Sequence, residues 1–151
     1  MNILIVTYGS PYPLNSGSAI RDYNLVKHVS RVHTVFLLSL LYSPRVEGWE
    51  RLKEYCEVVD LCEIRPRSLQ EQSWGLLRGL LAGRPAATHV MFYQEVADKI
   101  RELATAREVD IVQFEQSLLA PYVEALPSAG RWKKKHGCRH TRSSRSCSTT
   151  I

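Results

Sequence analysis

The chain has 151 residues, of which 44% are apolar and 23% charged, proportions typical of a globular protein with one domain. No apolar run reaches the roughly 18 residues that a membrane-spanning helix needs. The net charge of +5 comes from one end, because residues 131–151 hold seven Lys/Arg and no acid, whereas residues 1–130 hold 13 basic and 15 acidic residues. Because residues 1–130 are not basic overall, the net charge of the chain does not indicate that this part binds nucleic acid.

The chain begins with a strand, a polar loop and a helix. Residues 3–6 form a short apolar run, which is typical of a strand covered on both faces. Residues 8–18 are rich in Pro, Gly, Ser and Asn and predict a turn. An apolar residue then recurs every third position, which predicts a helix with one buried face formed by Ile20, Tyr23, Val26 and Val29.

The same alternation continues along the chain. Strands are predicted at residues 33–41, 58–64 and 110–114, and helices at residues 49–55, 69–82, 96–107 and 117–126. Strands separated by helices imply right-handed crossovers and parallel pairing. The sequence therefore predicts an α/β, Rossmann-like fold with a mostly parallel sheet flanked by helices. We expect the sheet to be incomplete at its C-terminal end, because no further strand follows residue 126.

The composition changes abruptly after residue 130. Residues 131–151 contain seven Ser/Thr and seven Lys/Arg, with Trp132 and Ile151 as the larger apolar residues. Such a segment buries too little apolar surface to offset its ordering entropy, so it is predicted to be a disordered basic tail. Its contrast with the domain at residues 1–130 also favours a segment translated out of frame.

The loop at residues 8–18 has the parts of a ligand site. It lies between the first strand and the first helix, where open parallel sheets bind ligands. Gly17 allows close approach of the backbone, and Ser16 and Ser18 are candidate caps for a helix whose first amides attract anions. The same residues also fit an ordinary loop that caps a helix, and the pattern alone favours neither interpretation.

Pro11-x-Pro13-x-Asn15-Ser16-Gly17-x-x-Ile20-Arg21, which follows an apolar strand, resembles the amino-terminal signature of family-4 glycosyltransferases. These enzymes have the GT-B fold, in which two Rossmann-like domains face each other across a cleft. Other passages similar to the family are Asn24-Leu25, residues 30–35, residues 110–115 and residues 120–122. The resemblance covers residues 1 to about 128, although Ser18 stands where many members have a second glycine.

The resemblance implies the acceptor-side domain of an enzyme that transfers a sugar from a nucleotide-sugar donor with retention. It implies no metal and no cofactor apart from the nucleotide-sugar. It assigns donor or acceptor contacts to the loop residues Asn15, Ser16, Gly17, Ser18 and Arg21, and makes Gln113 and Glu115 acceptor-side candidates. The family's His-bearing loop and its second, donor-binding domain have no counterpart in this sequence, so we expect no sugar transfer by this chain alone.

Some candidates have equally ordinary interpretations. Arg21 is placed to reach a phosphate or to lie in solvent, and Gln113 and Glu115 are placed to meet an acceptor or to cap the next helix. Zinc-type ligands occur in the tail, but their spacing matches no standard site, so we predict no metal at His136, Cys138, His140 and Cys147.

A second class of function stays open, namely a non-catalytic binding module. In that case the tail would bind polyanions, either nucleic acid or an anionic membrane, without sequence preference. Under the first hypothesis the partners are a nucleotide-sugar and an acceptor sugar or lipid, with no specific nucleic acid. The lack of an export signal predicts a cytoplasmic protein, and the helix at residues 69–82 predicts peripheral contact with the inner membrane face.

Overall fold

The computed structural model describes residues 1–42, 47–65, 68–71, 73, 74, 77, 92–126, 149 and 150. The described strands are β1 (Asn2–Tyr8), β2 (Thr34–Leu41), β3 (Val58–Glu63), β4 (Ile111–Phe114) and β5 (Thr149–Thr150). The α-helices with complete bounds are α1 (Gly17–Val29) and α2 (Gln94–Ala106). Two 3₁₀ segments occupy Trp49–Glu54 and Ser117–Ala125.

The sheet has the strand order β3-β2-β1-β4-β5. β1 pairs in parallel with β2 and β4, and β2 pairs in parallel with β3. The short β5 pairs antiparallel with β4, with Gln113 opposite Thr150 and Phe114 opposite Thr149. The predicted α/β, Rossmann-like fold is confirmed, because four parallel strands are joined by helical connections.

The connections cover both faces of the sheet. α1 joins β1 to β2 in one direction across the sheet, and α2 precedes β4 on the other side of β1. Right-handed crossovers that run in opposite directions place their helices on opposite faces. Two separate apolar clusters agree with this arrangement, since one contains Val26 of α1 and the other contains Val96 and Ile100 of α2. The molecule thus has three layers.

Residues of β1 alternate between the two clusters. Leu4 and Val6 pack on the α2 side, and Ile3 and Ile5 pack on the α1 side. This alternation follows from the period of two in a strand, and it requires apolar residues at every position when both faces are covered. The continuous apolar run that predicted a buried strand therefore has its physical cause in the two helical layers.

The buried face of α1 differs from the predicted one. Its buried residues are Ala19, Asp22 and Val26, whereas Ile20 is 45% exposed. The helical periodicity predicted that Ile20 is buried, because an apolar side chain is normally buried in preference to an aspartate. In the structure Asp22 is buried instead, because its ion pair with Arg21 offsets the cost of burying the carboxylate.

The predicted helix at residues 69–82 is described in part. Residues 69–71, 73, 74 and 77 are helical, while residues 78–82, which contain its predicted end, lie outside the described residues. Over the part of the chain that the structure describes, no helix has both the length and the apolar content for crossing a bilayer.

The tail is described at two residues. The predicted disorder of residues 131–151 stays a prediction, whereas Thr149 and Thr150 lie in β5 and pair with β4. The physical reason is that β4 has an open edge, whose unpaired amide and carbonyl groups accept a further strand. Residues 131–148 and 151 lie outside the described residues.

Because β1 is covered on both faces, we expect its apolar side chains to contribute strongly to the stability of the fold. Leu4 is fully buried between β2, β4 and the α2 layer. We expect Leu4→Ala to lower the free energy of unfolding by about 3 kcal/mol, because lost apolar burial and a residual cavity add. Urea unfolding followed by circular dichroism measures the change. Leu69→Ala, at a leucine that is 82% exposed, is the matched control; equal losses in both variants would contradict the described core.

Candidate functional site

The site is best located by the topology of the sheet. The chain leaves β1 towards α1 on one face, and it leaves β4 towards the 3₁₀ segment Ser117–Ala125 on the other face. The carboxyl ends of β1 and β4 are adjacent, with Val6 opposite Phe114. Such a divergence opens a crevice beyond the strand ends, which is the usual ligand position in parallel sheets. Residues 9–18 and 115–116 border this crevice.

Buried hydroxyls hold the start of the first loop. The Thr7 Oγ1 donates to the Gly9 carbonyl at 2.9 Å and lies 2.9 Å from the Ser39 Oγ. The Gly9 amide donates to the Leu40 carbonyl at 2.8 Å, and Gly9 has a φ of 91°, a value that favours glycine. These bonds fix the direction in which the loop leaves β1.

The end of the loop is an ordered helix cap. The Ser16 Oγ accepts a hydrogen bond from the Ala19 amide at 3.2 Å and lies 3.1 Å from the Ser18 Oγ, so the predicted capping role of Ser16 is confirmed. Among the described residues, the amides of Gly17 and Ser18 have no hydrogen-bond partner. Free amides at a helix start attract anions and hydroxyl oxygens.

A charged cluster lies directly beneath this cap. The Arg21 Nη2 contacts the Asp22 Oδ1 at 3.0 Å and the Glu115 Oε2 at 3.2 Å, and it donates to the Glu115 carbonyl at 2.8 Å. The Gln113 Nε2 donates to the Glu115 Oε1. The cluster therefore ties the first turns of α1 to the end of β4. We call Arg21, Asp22, Gln113 and Glu115 the switch-point cluster.

The two carboxyl groups of the switch-point cluster are almost completely buried. Each side chain is 3% exposed, whereas that of Arg21 is 38% exposed. Burial raises the pKa of Glu115, and its bond with Gln113 opposes that rise. Burial likewise raises the pKa of Asp22, against the effect of Arg21. The switch-point cluster therefore contains two carboxyl groups and one cationic group, the Arg21 guanidinium.

The residues named from the sequence fall into two groups. Asn15, Ser16, Gly17 and Ser18 are exposed on the loop and accessible to a ligand. Arg21, Gln113 and Glu115 meet in the switch-point cluster. Glu115 forms an ion pair with Arg21, and its burial leaves little of its surface for contact with a ligand. Sequence reasoning missed Asp22, because a lone aspartate in a helix is usually solvated. Its one signal was its spacing from Ala19 and Val26, which share its face.

The loop after β4 is also tied to β1. The Gln116 Nε2 donates to the Tyr8 carbonyl at 3.3 Å, and the Glu115 amide donates to the Val6 carbonyl at 3.1 Å. These contacts hold the floor of the crevice on both sides. A ligand would therefore meet a preformed surface, which lowers the entropic cost of binding.

A second cleft, of about 470 Å³, lies elsewhere along the same edge. Its lining is Glu63, Ile64, Arg65, Tyr93, Gln94 and Glu95, at the end of β3 and the start of α2. One strand, β2, separates β3 from β1, so the end of β3 is roughly 10 Å from the near side of the crevice at the usual strand spacing. The sheet topology and the ordered polar contacts favour the crevice as the ligand site.

The described residues contain no group of three or more His, Cys, Asp or Glu side chains that could hold a metal ion. The tail residues His136, Cys138, His140 and Cys147 lie outside the described residues. No family model, no curated protein and no solved structure matches this chain. A function for this chain is therefore inferred from the residues of the crevice.

Two glycines near the loop make a matched test. A Cβ added at Gly17 meets nothing within 4 Å, whereas one at Gly48 comes within 2.5 Å of the Tyr12 ring at a φ of 75°. We expect Gly17→Ala to leave the melting temperature unchanged or slightly higher. Gly48→Ala should lower the free energy of unfolding by about 1–3 kcal/mol, through backbone strain. Thermal denaturation compares the two variants. A strongly destabilised Gly17→Ala would show that the fold itself requires this glycine.

The switch-point cluster predicts how stability changes with pH. Because the pKa of Glu115 is raised above its ordinary value of 4.5, the folded chain keeps this proton to a higher pH than the unfolded chain. Its contribution to stability is present below pH 4.5 and is lost as the pH rises through the folded pKa. Glu115→Gln removes the titration, so its free energy of unfolding should decline less from pH 4.5 upward.

Urea unfolding at a series of pH values measures this difference between the wild type and Glu115→Gln. Asp22→Asn should act in the same direction, because burial raises the pKa of that carboxyl as well. Identical pH profiles for the wild type and both variants would show that the cluster does not retain protons on folding.

Proposed function

We propose that this chain is the acceptor-side domain of a glycosyltransferase that transfers a sugar from a nucleotide-sugar with retention. One observation carries the proposal: the loop that resembles the family signature lies at the crevice between β1 and β4, and the switch-point cluster holds it there. Under the proposal the domain works in the cytoplasm, at the periphery of the inner membrane face. The acceptor is a sugar or a lipid-linked sugar.

The chemistry of the crevice supports a hydroxyl-rich or phosphorylated ligand. The exposed Ser16 and Ser18 hydroxyls and the free amides of Gly17 and Ser18 form a set of donors at one end of the crevice. Such a set suits sugar hydroxyls or a phosphate oxygen. Arg21 reinforces this polarity, but its ion pairs assign it mainly to positioning the loop rather than to binding a phosphate alone.

The buried acids have a positioning role in this proposal. Glu115 joins the end of β4 to Arg21, and Arg21 lies one turn beyond the Ser16 cap. Displacement of the guanidinium would therefore move the helix start and its amides. Small displacements of this kind weaken ligand alignment, because binding groups have to be held within a fraction of an ångström.

The polyanion-binding alternative depends on residues 131–148, which lie outside the described residues. None of the described contacts favours it.

Nuclear magnetic resonance titration of the isotopically labelled chain tests the proposal. The probes are alkyl glycosides and glycosyl phosphates, as acceptor analogues, and UDP and GDP. We expect at least one glycoside or glycosyl phosphate to shift the amide resonances of Gly17, Ser18 and Gln116, with a dissociation constant on the order of millimolar. The free nucleotides should not shift these resonances, since the resemblance assigns their binding to a second domain.

Gly17→Val adds a branched side chain at the mouth of the crevice and should weaken glycoside binding about tenfold or more, with little loss of stability. Ala106→Val is the matched control, because Ala106 is exposed at the end of α2, on the opposite edge of the sheet. Shifts confined to the cleft around Tyr93, or no response to any glycoside or glycosyl phosphate, would rule out an acceptor site in the crevice.

A further inference from the structure

The cleft at the end of β3 combines an aromatic ring, an apolar side chain and polar groups of both signs. Its volume of about 470 Å³ falls within the range of small-molecule sites. Ile64 is the most deeply buried of its lining residues, at 2% exposure. The Ile64 amide donates to the Leu41 carbonyl at 2.7 Å, which continues the pairing of β3 with β2. The cleft is therefore built directly on the edge of the sheet.

Tyr93 links the two sides of the cleft and is held at both ends. Its hydroxyl donates to the Arg65 carbonyl at 3.1 Å, and its amide donates to the Tyr122 hydroxyl oxygen at 3.0 Å. The Tyr122 ring in turn stacks on Phe92, with ring centroids 5.1 Å apart. The Tyr93 ring is therefore fixed before a ligand arrives, which removes the entropic cost of ordering it on binding.

The charged side chains of the cleft are available to a ligand. Glu63, Arg65 and Glu95 are exposed, and their side chains form no hydrogen bond or ion pair within the part of the chain that the structure describes. The Gln94 Nε2 donates to the Asp98 Oδ1 at 3.1 Å, which leaves the Gln94 side-chain oxygen as an acceptor. The cleft thus offers carboxylate and amide acceptors together with guanidinium donors.

This combination favours a neutral ligand with several hydroxyl groups. An anionic group would meet the carboxylates of Glu63 and Glu95, and a cationic group would meet the Arg65 guanidinium. A hydroxyl both donates to a carboxylate and accepts from a guanidinium. The C–H face of a sugar ring also packs on an aromatic side chain such as Tyr93. A sugar unit therefore matches every group that lines the cleft.

Two further tyrosines lie between this cleft and the crevice. Tyr8 is the last residue of β1 and Tyr42 directly follows β2, and their rings meet edge to face with centroids 5.7 Å apart. Burial raises the pKa of Tyr8 above its ordinary value, and the neighbouring phenol groups of Tyr42 and Tyr93 add to the rise. The three side chains are therefore neighbours along the carboxyl edge of the sheet. We call Tyr8, Tyr42 and Tyr93 the tyrosine row.

We infer that the cleft is a second acceptor subsite, so that the acceptor is an oligosaccharide with one sugar unit in the crevice and another beside Tyr93. The inference rests on the proposed function, because the unit in the crevice is the one that receives the transferred sugar. The end of β3 is roughly 10 Å from the near side of the crevice, farther than a single sugar ring reaches. At least two linked units are needed to occupy both places, and the tyrosine row lies along their path.

Nuclear magnetic resonance titration of the full chain with acceptor analogues of different length tests this inference. The probes are the methyl glycosides of glucose, galactose and mannose, and linear di- and trisaccharides of the same three sugars. We expect at least one oligosaccharide to shift the amide resonances of Arg65, Gln94 and Glu95 together with those of Gly17 and Ser18. That oligosaccharide should bind at least about tenfold more tightly than its methyl glycoside.

The double variant Glu63→Ala, Arg65→Ala removes polar groups from the cleft. It should bind the oligosaccharide about tenfold more weakly, with unchanged affinity for the methyl glycoside. Its melting temperature should be unchanged, because both side chains are exposed. The double variant Glu57→Ala, Arg31→Ala is the matched control, since these exposed residues precede β3 and β2 at the opposite edge of the sheet. The control should bind both probes as the wild type does.

The methyl glycosides report on the crevice alone, so the inference and the proposed function fail separately. If the oligosaccharides shift only the amides of the crevice and bind no more tightly than the methyl glycosides, the second subsite is ruled out and the proposed function stands. Equal binding by the wild type and the Glu63→Ala, Arg65→Ala variant would likewise overturn the inference. Oligosaccharide shifts confined to the cleft would overturn both, because no acceptor unit would then occupy the crevice.

Discussion

The parallel pairing of β1 on both of its edges is the constraint on which the rest of the structure depends. Because β2 and β4 flank β1, the connections to them run in opposite directions and α1 and α2 cover opposite faces. β1 must then be apolar at consecutive positions, and the chain must diverge where β1 and β4 end. The three layers, the buried strand and the crevice are consequences of the same arrangement.

The switch-point cluster is the polar counterpart of that arrangement. Burial of Asp22 and Glu115 carries a desolvation cost, which is offset only while Arg21 and Gln113 stay in place. A cluster of this kind contributes little net stability, but removing one partner is costly, because it leaves a buried charge. Its effect is to fix the geometry of α1 relative to β4. The cap at Ser16 and the free amides of Gly17 and Ser18 depend on that geometry.

The crevice at the carboxyl edge of the sheet is suited to a small polar ligand. It presents hydroxyls and amides at the start of α1. The Lys99–Asp60 ion pair, at 3.0 Å, helps hold α2 against β3 beneath this edge.

The sequence by itself determined the fold class and the four parallel strands, since the apolar run at residues 3–6 and the three later strand patterns predicted these strands with bounds that differ by one or two residues. These features are local, because strand and helix periods depend on neighbouring residues. It also predicted the Ser16 cap, which requires only residues within one turn. Tertiary structure decided the inward face of α1, where Asp22 is buried and Ile20 is exposed.

Tertiary structure also decided the role of Arg21 and Glu115, which are 94 residues apart in sequence and form one ion pair. It decided that β5 lies beside β4. In each case the stabilising partner is distant along the chain, so no local pattern contains it. The burial of a charge in particular is decided by its partner, and that partner is known only after the strands are placed side by side.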